Sequence, residues 1–326
     1  VSVAASDLLR HAPRPVLRAL HDVGRAVDVE LDGVTLARYV YVPDDVQLES
    51  PRPYVHPLRT RGGDLVSEFR PHDHVWHKGV AWSLPVVGDE NFWGGPTFVS
   101  PEASEHGYVQ LDNDGSMDHT ALTRLDVSTG AAGERVDLAH TLAWHTQAGE
   151  RVVDEDRTLS VVVPPARDDA WVLLFGTTMT NVSGRDLPIG SPTTRGRENA
   201  GYGGLFWRGP RSFTGGTLLA PGFAGGEEVR GRRAPWMGFT GRQDGTGRAA
   251  TVVMVDGSAD PAGPPQWFAR RDLFACLCPA PFFSEEVAFD AGATLTFRYA
   301  VVVADGLGDP DHAAVLAGLG NGMLDT

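Results

Sequence analysis

Lysine occurs once in this chain and cysteine twice, in 326 residues. Apolar runs are short, and none approaches the ~20 residues that a membrane-crossing helix needs. The opening VSVAASDLLRHAPRP has no basic start leading into an apolar stretch, so it does not read as a secretory signal, and a cytoplasmic location is expected. GxSxG, HExxH, a phosphate loop and GxGxxG followed by an acid are all absent. Serine hydrolases, zinc peptidases, nucleotide kinases and dinucleotide dehydrogenases lose weight accordingly. Basic charge is also scarce: 28 Lys and Arg against 42 Asp and Glu give a net charge of −14. Such a surface repels phosphate backbones and anionic lipids, which argues against nucleic acid and membrane partners and leaves room for a local basic pocket. The two cysteines, Cys276 and Cys278, stand two apart, so on an extended segment they share a face. A disulfide between such neighbours would be strained. They are expected as reduced, buried, small apolar residues, since a metal pair would need further ligands.

Glycine (39) and proline (23) are plentiful and spread along the chain, and long amphipathic helical patterns are rare. Alternating or β-branched runs recur at 26–42, 135–146, 157–165, 170–183, 249–257 and 293–305, each ending at Gly, Pro, Asp or Asn. That is the pattern of half-buried antiparallel strands. The expected fold is mainly β, a large antiparallel β-sandwich with few short helices. One domain is expected over 1–326, with a helical lead-in within 1–25 and a tail over 307–326. Helix is expected near 6–22 and in the tail DPDHAAVLAGLGNGM, where Asp309 or Asp311 could cap.

Against this background PHDHVWHKG, residues 71–79, stands out: three histidines, an aspartate, a tryptophan and the lone lysine. On a strand His72 and His74 would share a face, and His77 would join them only if Trp76–Gly79 turns, which Gly79 permits. Three convergent imidazoles could bind a divalent metal, with Asp73, Asp89 or Glu90 completing the site. Alternatively, one or two could serve as general acid or base near neutral pH. No cofactor is otherwise expected.

Aromatic residues follow the cluster (Trp76, Trp82, Phe92, Trp93) and recur at Tyr202, Phe206, Trp207, Trp236, Trp267 and Phe268. Aromatic faces suit the apolar faces of sugars, while Asp, Glu, Arg and His read the hydroxyls. TTRGRENAGYGGLFWR (193–208) sets Arg195, Arg197 and Glu198 before a glycine-rich turn with Tyr202, which could hold charge over a cleft. In PPQWFARRDLFACLCPAPFFSEEVAFDAG (264–292), Trp267 and Arg270 suggest pocket wall and hydroxyl or anion donor, and Glu285 and Glu286 precede the last strand.

Four stretches together resemble a bacterial family of unknown function labelled "methane oxygenase PmoA", DUF6807-like. They are RPYVHPLRTRGGDLVSEFRPHDHVWHKGVAWSLPVVGDENFW (52–93), RGRENAGYGGLFWR (195–208), PPQWFARR (264–271) and LTFRYAVVVADG (295–306). The resemblance implies a β-sandwich related to the galactose mutarotase supersandwich and a place in carbohydrate metabolism. In mutarotase-like enzymes a histidine and a carboxylate exchange protons with the anomeric hydroxyl and ring oxygen. By role, His72, His74 or His77 would match with Glu198 or Glu285. Expected substrate contacts are His56, Arg59, Asp73, Lys78, Trp82, Trp93, Arg195, Arg197, Tyr202, Arg208, Trp267 and Arg270.

The leading expectation is therefore an enzyme acting on a sugar or glycoside by histidine and carboxylate acid–base chemistry, of epimerase, mutarotase, lyase or hydrolase type. The alternatives are a non-catalytic carbohydrate-binding protein and a metal-dependent enzyme whose ligands would be His72, His74 and His77. HxHxxH lacks the following glutamate of a cupin, which weakens the last. The expected partner is a small molecule or oligosaccharide, with homo-oligomerisation open.

Overall fold

The computed structural model describes residues 16–100, 107–258 and 263–324. Two large antiparallel sheets pack against each other. The first runs in the order Leu17–Asp22, Ala26–Leu31, Val34–Val40, Tyr54–Leu58, Val80–Val87, Gly204–Arg208, Cys276–Ala280, Gln266–Arg270. Two short strands, Glu90–Phe92 and Ile189–Gly190, pair with Val80–Val87 off this path. The second runs Phe223–Gly225, Thr217–Ala220, Trp236–Arg242, Ala249–Asp256, Thr294–Asp305, Ala170–Asn181, Arg151–Val163, Gly133–His145, Ser116–Gly130. All six apolar runs read from the sequence lie on these strands. The first of them, 26–42, is a hairpin turned at Asp32–Gly33, both in the left-handed region that an Asp-Gly hairpin turn needs.

Period-two alternation assigns each strand's two faces. On Thr294–Asp305, Tyr299, Val301 and Val303 enter the core between the sheets, while Ala300, Val302 and Ala304 face outward. Those outward residues are buried too, because the helix Pro310–Leu324 lies over them with Ala313, Leu316, Ala317 and Met323. The expected tail helix thus forms, and Asp309 is its cap: the carboxylate accepts the His312 N–H at 2.8 Å.

The helix expected over 6–22 is corrected where it can be seen. Residues 1–15 lie outside the described residues, and Leu17–Asp22 is an edge strand paired in register with Ala26–Leu31. Leu17 is buried on the core side and its neighbours alternate outward, so sheet pairing overrides the local helical tendency.

The same alternation on the first sheet creates the site. Leu205, Trp207, Trp267, Ala269 and Leu277 point into the core. Phe206, Phe268, Cys276 and Cys278 point the other way and form a separate outer cluster with Trp93, Phe274 and Phe283. Among the described residues no helix covers this face. Among the described residues, no helix is long and apolar enough to cross a membrane.

Candidate functional site

Residues 71–79 do not continue a strand. The Pro71 carbonyl accepts the His74 N–H at 3.0 Å and the His74 carbonyl accepts the His77 N–H at 2.9 Å, which makes two successive turns. Gly79 then re-enters the sheet at φ +61, packed so that a β-carbon would stand 2.2 Å from the Val55 carbonyl oxygen. The turns place His74 and His77 one above the other, ring centroids 4.7 Å apart and 14° from parallel. His72 is swung outward, where Arg211 donates to its Nδ1 at 2.9 Å.

A pocket of about 310 Å³ opens over this stack on the outer face of the first sheet. His74, Trp76, His77, Trp93, Tyr108, Tyr202, Phe206, Phe268 and Phe274 supply aromatic wall, and Arg197 and Arg270 supply charge. Trp93 packs on Tyr202 at 4.6 Å and on Phe206 at 4.9 Å, and Tyr202 meets Phe268 at 5.4 Å. The Tyr108 and Tyr202 hydroxyls lie 3.0 Å apart. Trp76 leans over the Gly94–Gly95 backbone, where a β-carbon on Gly95 would stand 2.7 Å from the indole.

Partners of the two histidines fix their tautomers. Arginine can only donate, so Arg208 Nη1 at 3.1 Å makes His77 Nδ1 an acceptor and puts the His77 proton on Nε2. His74 Nδ1 faces the Asp73 carboxylate at 3.1 Å, so it carries the proton and leaves a lone pair on Nε2. Burial, joined by the charges of His74, Arg208 and Arg52, holds His77 well below the usual imidazole range. Burial also lowers His74, against the pull of Asp73. Burial alone would raise Asp73, but its hydrogen bond with His74 and the charge of Arg208 hold it lower, so it is ionised. Near neutrality the stack therefore offers one basic nitrogen, His74 Nε2, and one donor, His77 Nε2–H. Neither has a hydrogen-bond partner among the described residues.

Of the residues expected at the site, the fold brings His74, His77, Trp93, Arg197, Tyr202 and Arg270 to the pocket wall. Asp73 and Arg208 stand behind it as the partners of the two histidines. The others require correction. Trp82 and Trp267 are fully buried on the core side: Trp82 packs on Phe297, and Trp267 donates to the Ala234 carbonyl at 2.8 Å. Lys78 is buried in an ion cluster below the turns, paired with Glu49 and, at 2.8 Å, with Asp45. His56 bonds Ser67 and stacks on Phe69, while Arg59 reaches the Gly63 carbonyl. Arg195 pairs with Glu286 at 3.5 Å, away from the wall. Glu198 and Glu285 are exposed and off the pocket, so neither stands opposite the histidines.

The metal set His72, His74 and His77 is not assembled. His72 faces away, the other two rings are parallel, and no group of three or more His, Cys, Asp or Glu among the described residues could hold an ion. The cysteines are free and buried in the layer under the pocket, with burial pushing the Cys276 thiol up to about 12.

Phe274, Leu273, Tyr108 and Pro96 also line the wall without having been singled out from the sequence. Tyr108 and Pro96 carry no local signal. Phe274 could have been suspected from its place between the Arg270–Arg271 pair and the outward-facing Cys276.

The chain belongs to DUF6807. The model of this family of unknown function matches residues 26–318. No curated protein matches. Three solved structures are similar to this chain at a low level. One, from the human microbiome, is provisionally assigned as a kojibiose phosphorylase: 8% identity, TM-score 0.35, 92% of this chain and 32% of that one. Another is the GH36 α-galactosidase AgaA of Geobacillus stearothermophilus, solved with raffinose: 11% identity, TM-score 0.35, 90% and 41%. The third, from Klebsiella pneumoniae, is provisionally assigned as an aldose 1-epimerase: 10% identity, TM-score 0.34, 96% and 88%. This chain thus spans well under half the length of the first two. Likeness at this level carries no inference about this chain.

Proposed function

We propose that this DUF6807 protein is an enzyme that binds a sugar or small glycoside in the aromatic pocket and moves a proton on it with His74 as base. The observation that carries the reading is the His74–His77 stack with its two opposite tautomers. A base and a hydrogen-bond donor face one cavity, each oriented by a charged residue behind it. Asp73 would hold the His74 tautomer and stabilise the imidazolium formed after proton uptake, the part a carboxylate plays in other oriented histidine bases. His77 Nε2–H would stabilise negative charge developing on a sugar oxygen. Trp93, Phe206 and Phe268 would take the apolar face of the ring.

Such an arrangement suits epimerase, mutarotase or lyase chemistry better than two-carboxylate glycoside hydrolysis. Hydrolysis of that kind needs paired acids flanking the bond, and among the described residues no aspartate or glutamate lines the pocket. A non-catalytic sugar-binding role fits the aromatic wall equally but leaves the oriented histidines unused. The test is a panel of free sugars, glycosides and 3-keto-glycosides monitored by NMR for anomer exchange, solvent deuterium incorporation and elimination. Turnover that falls roughly 100-fold or more in His74→Ala, with binding retained, supports the enzyme. Full turnover in that variant removes the role given to His74, and sugar binding with no turnover on any member of the panel favours the binding protein.

A further inference from the structure

We infer that the sugar accepted here carries a carboxylate, as uronic and aldonic acids do. The inference rests on the reading of the pocket as a sugar site. The charged residues of the wall, apart from the titratable histidines, are Arg197 and Arg270, and no acid among the described residues joins them. In a chain with a net charge of −14 this is a local reversal of sign, which draws in and holds an anion.

Among the described residues neither guanidinium is fully engaged: Arg197 meets no acid, and Arg270 has only a long ion pair to Glu227. Arg197 donates to the Tyr108 hydroxyl and lies over that ring at 4.8 Å, with no acidic partner among the described residues. Arg270 lies over Phe274 at 5.5 Å, and its Nε is buried without a hydrogen-bond partner. Its nearest carboxylate, Glu227, is 3.5 Å away and already engaged: it accepts the backbone N–H groups of Arg271 at 2.9 Å and Asp272 at 3.1 Å and pairs with Arg230. The terminal nitrogens of Arg270 thus have no hydrogen bond within the described chain. Planar forks of this kind, backed by aromatic rings, match a carboxylate bidentately.

A phosphate would fit less well. Phosphate sites commonly draw on free backbone N–H groups at a helix start or a glycine nest. The glycines at this wall have none to give: the Gly94 N–H is bonded to Asn91 Oδ1 at 3.0 Å and the Gly95 N–H to the Leu48 carbonyl at 2.7 Å. The helix Pro310–Leu324 packs on the other sheet.

The experiment is calorimetric titration of the full chain with galacturonate, glucuronate, galactose, glucose and galactose 6-phosphate, each free and as the methyl glycoside. A uronate is expected to bind about 10-fold or more tightly than its neutral counterpart, the worth of one charge-assisted pair. That preference should shrink with added salt. Arg270→Gln and Arg197→Gln should each weaken uronate binding more than neutral-sugar binding and so reduce the preference, and Arg270→Lys should restore part of it. Equal binding of acidic and neutral sugars overturns the carboxylate and leaves the sugar site standing. Binding of the phosphate with none of the uronates also overturns it. Binding of none of the probes overturns the sugar reading and this inference together.

Discussion

Replacing Arg208 by methionine tests how the histidine stack is set. Arg208 is buried behind the pocket and holds three things at once: it donates to His77 Nδ1 at 3.1 Å, approaches Asp73 at 3.6 Å and covers the Phe274 ring at 3.9 Å. Losing a buried hydrogen bond made by a charged donor costs roughly 1.5–3 kcal/mol, and losing the cation over the ring costs about 0.5–2 kcal/mol more. Two features reduce the loss. The guanidinium no longer has to be buried, and Asp73 keeps Arg211 at 3.1 Å. The net destabilisation is then about 2 kcal/mol. Urea denaturation at pH 7 reads this directly, and the midpoint should fall with the slope unchanged. Imidazole ¹⁵N NMR reads the specific part. In the parent protein His77 should be protonated at Nε2 and His74 at Nδ1. In the variant His77 should lose its single tautomer while His74, held by Asp73, keeps its own. If His77 carries its proton on Nδ1 in the parent, or keeps one fixed tautomer without Arg208, then Arg208 does not set the His77 tautomer.

Asp73→Asn should leave sugar affinity nearly intact and lower turnover by roughly 10²–10⁴-fold, because an amide no longer fixes the His74 tautomer or balances its charge; steady-state kinetics separates the two effects. Since His74 works as a neutral base and its pKa lies below the ordinary imidazole value, kcat/KM should be flat at neutral pH and fall only on the acid side of about 6.5, which a pH–rate profile checks. His56 titrates near 4 in the folded protein, through burial and then the charge of Arg59. An unfolded chain protonates it near 6.5, so stability should be full above that pH and fall by roughly 3 kcal/mol on the way to pH 4; in His56→Gln, urea melts at several pH values should lose that part of the slope. Neighbouring aromatics on one strand should differ in their effect on binding. Trp267→Ala should cost about 3–5 kcal/mol of stability and leave sugar binding by the folded protein intact, whereas Phe268→Ala should lower both stability and sugar affinity, as calorimetry and denaturation together would reveal.

Pattern alone was enough for the class of fold. Each apolar run that alternates became a strand, because a half-buried sheet imposes a period of two wherever it forms. The exception, the edge strand Leu17–Asp22, shows where that logic stops. Its six residues pair with a neighbour, and pairing is a non-local term that composition does not carry. The tail helix was legible because its cap and periodicity are local.

The histidine stretch 71–79 is legible in the sequence as a concentration of chemistry. Its geometry is not: two turns, rather than a strand, stack His74 on His77 and send His72 outward. The aromatic pairs tell the same story. Phe206–Trp207 and Trp267–Phe268 are adjacent in sequence, and nothing local says which ring faces the core and which the pocket. Strand phase decides it, and phase is set by pairing with Leu277 and Cys278 across the sheet. The lone lysine is part of a buried ion cluster with Asp45 and Glu49. The two glutamates chosen for their chemistry stand in exposed segments away from the histidines, since convergence of distant residues depends on how the sheets and loops close. The sequence by itself determined a β-rich chain with a histidine-rich segment, because alternation and composition are written residue by residue. Which side chains share one pocket, which tautomer each histidine holds and which arginines reach that pocket were decided by tertiary structure, because each depends on contacts between residues far apart in the chain.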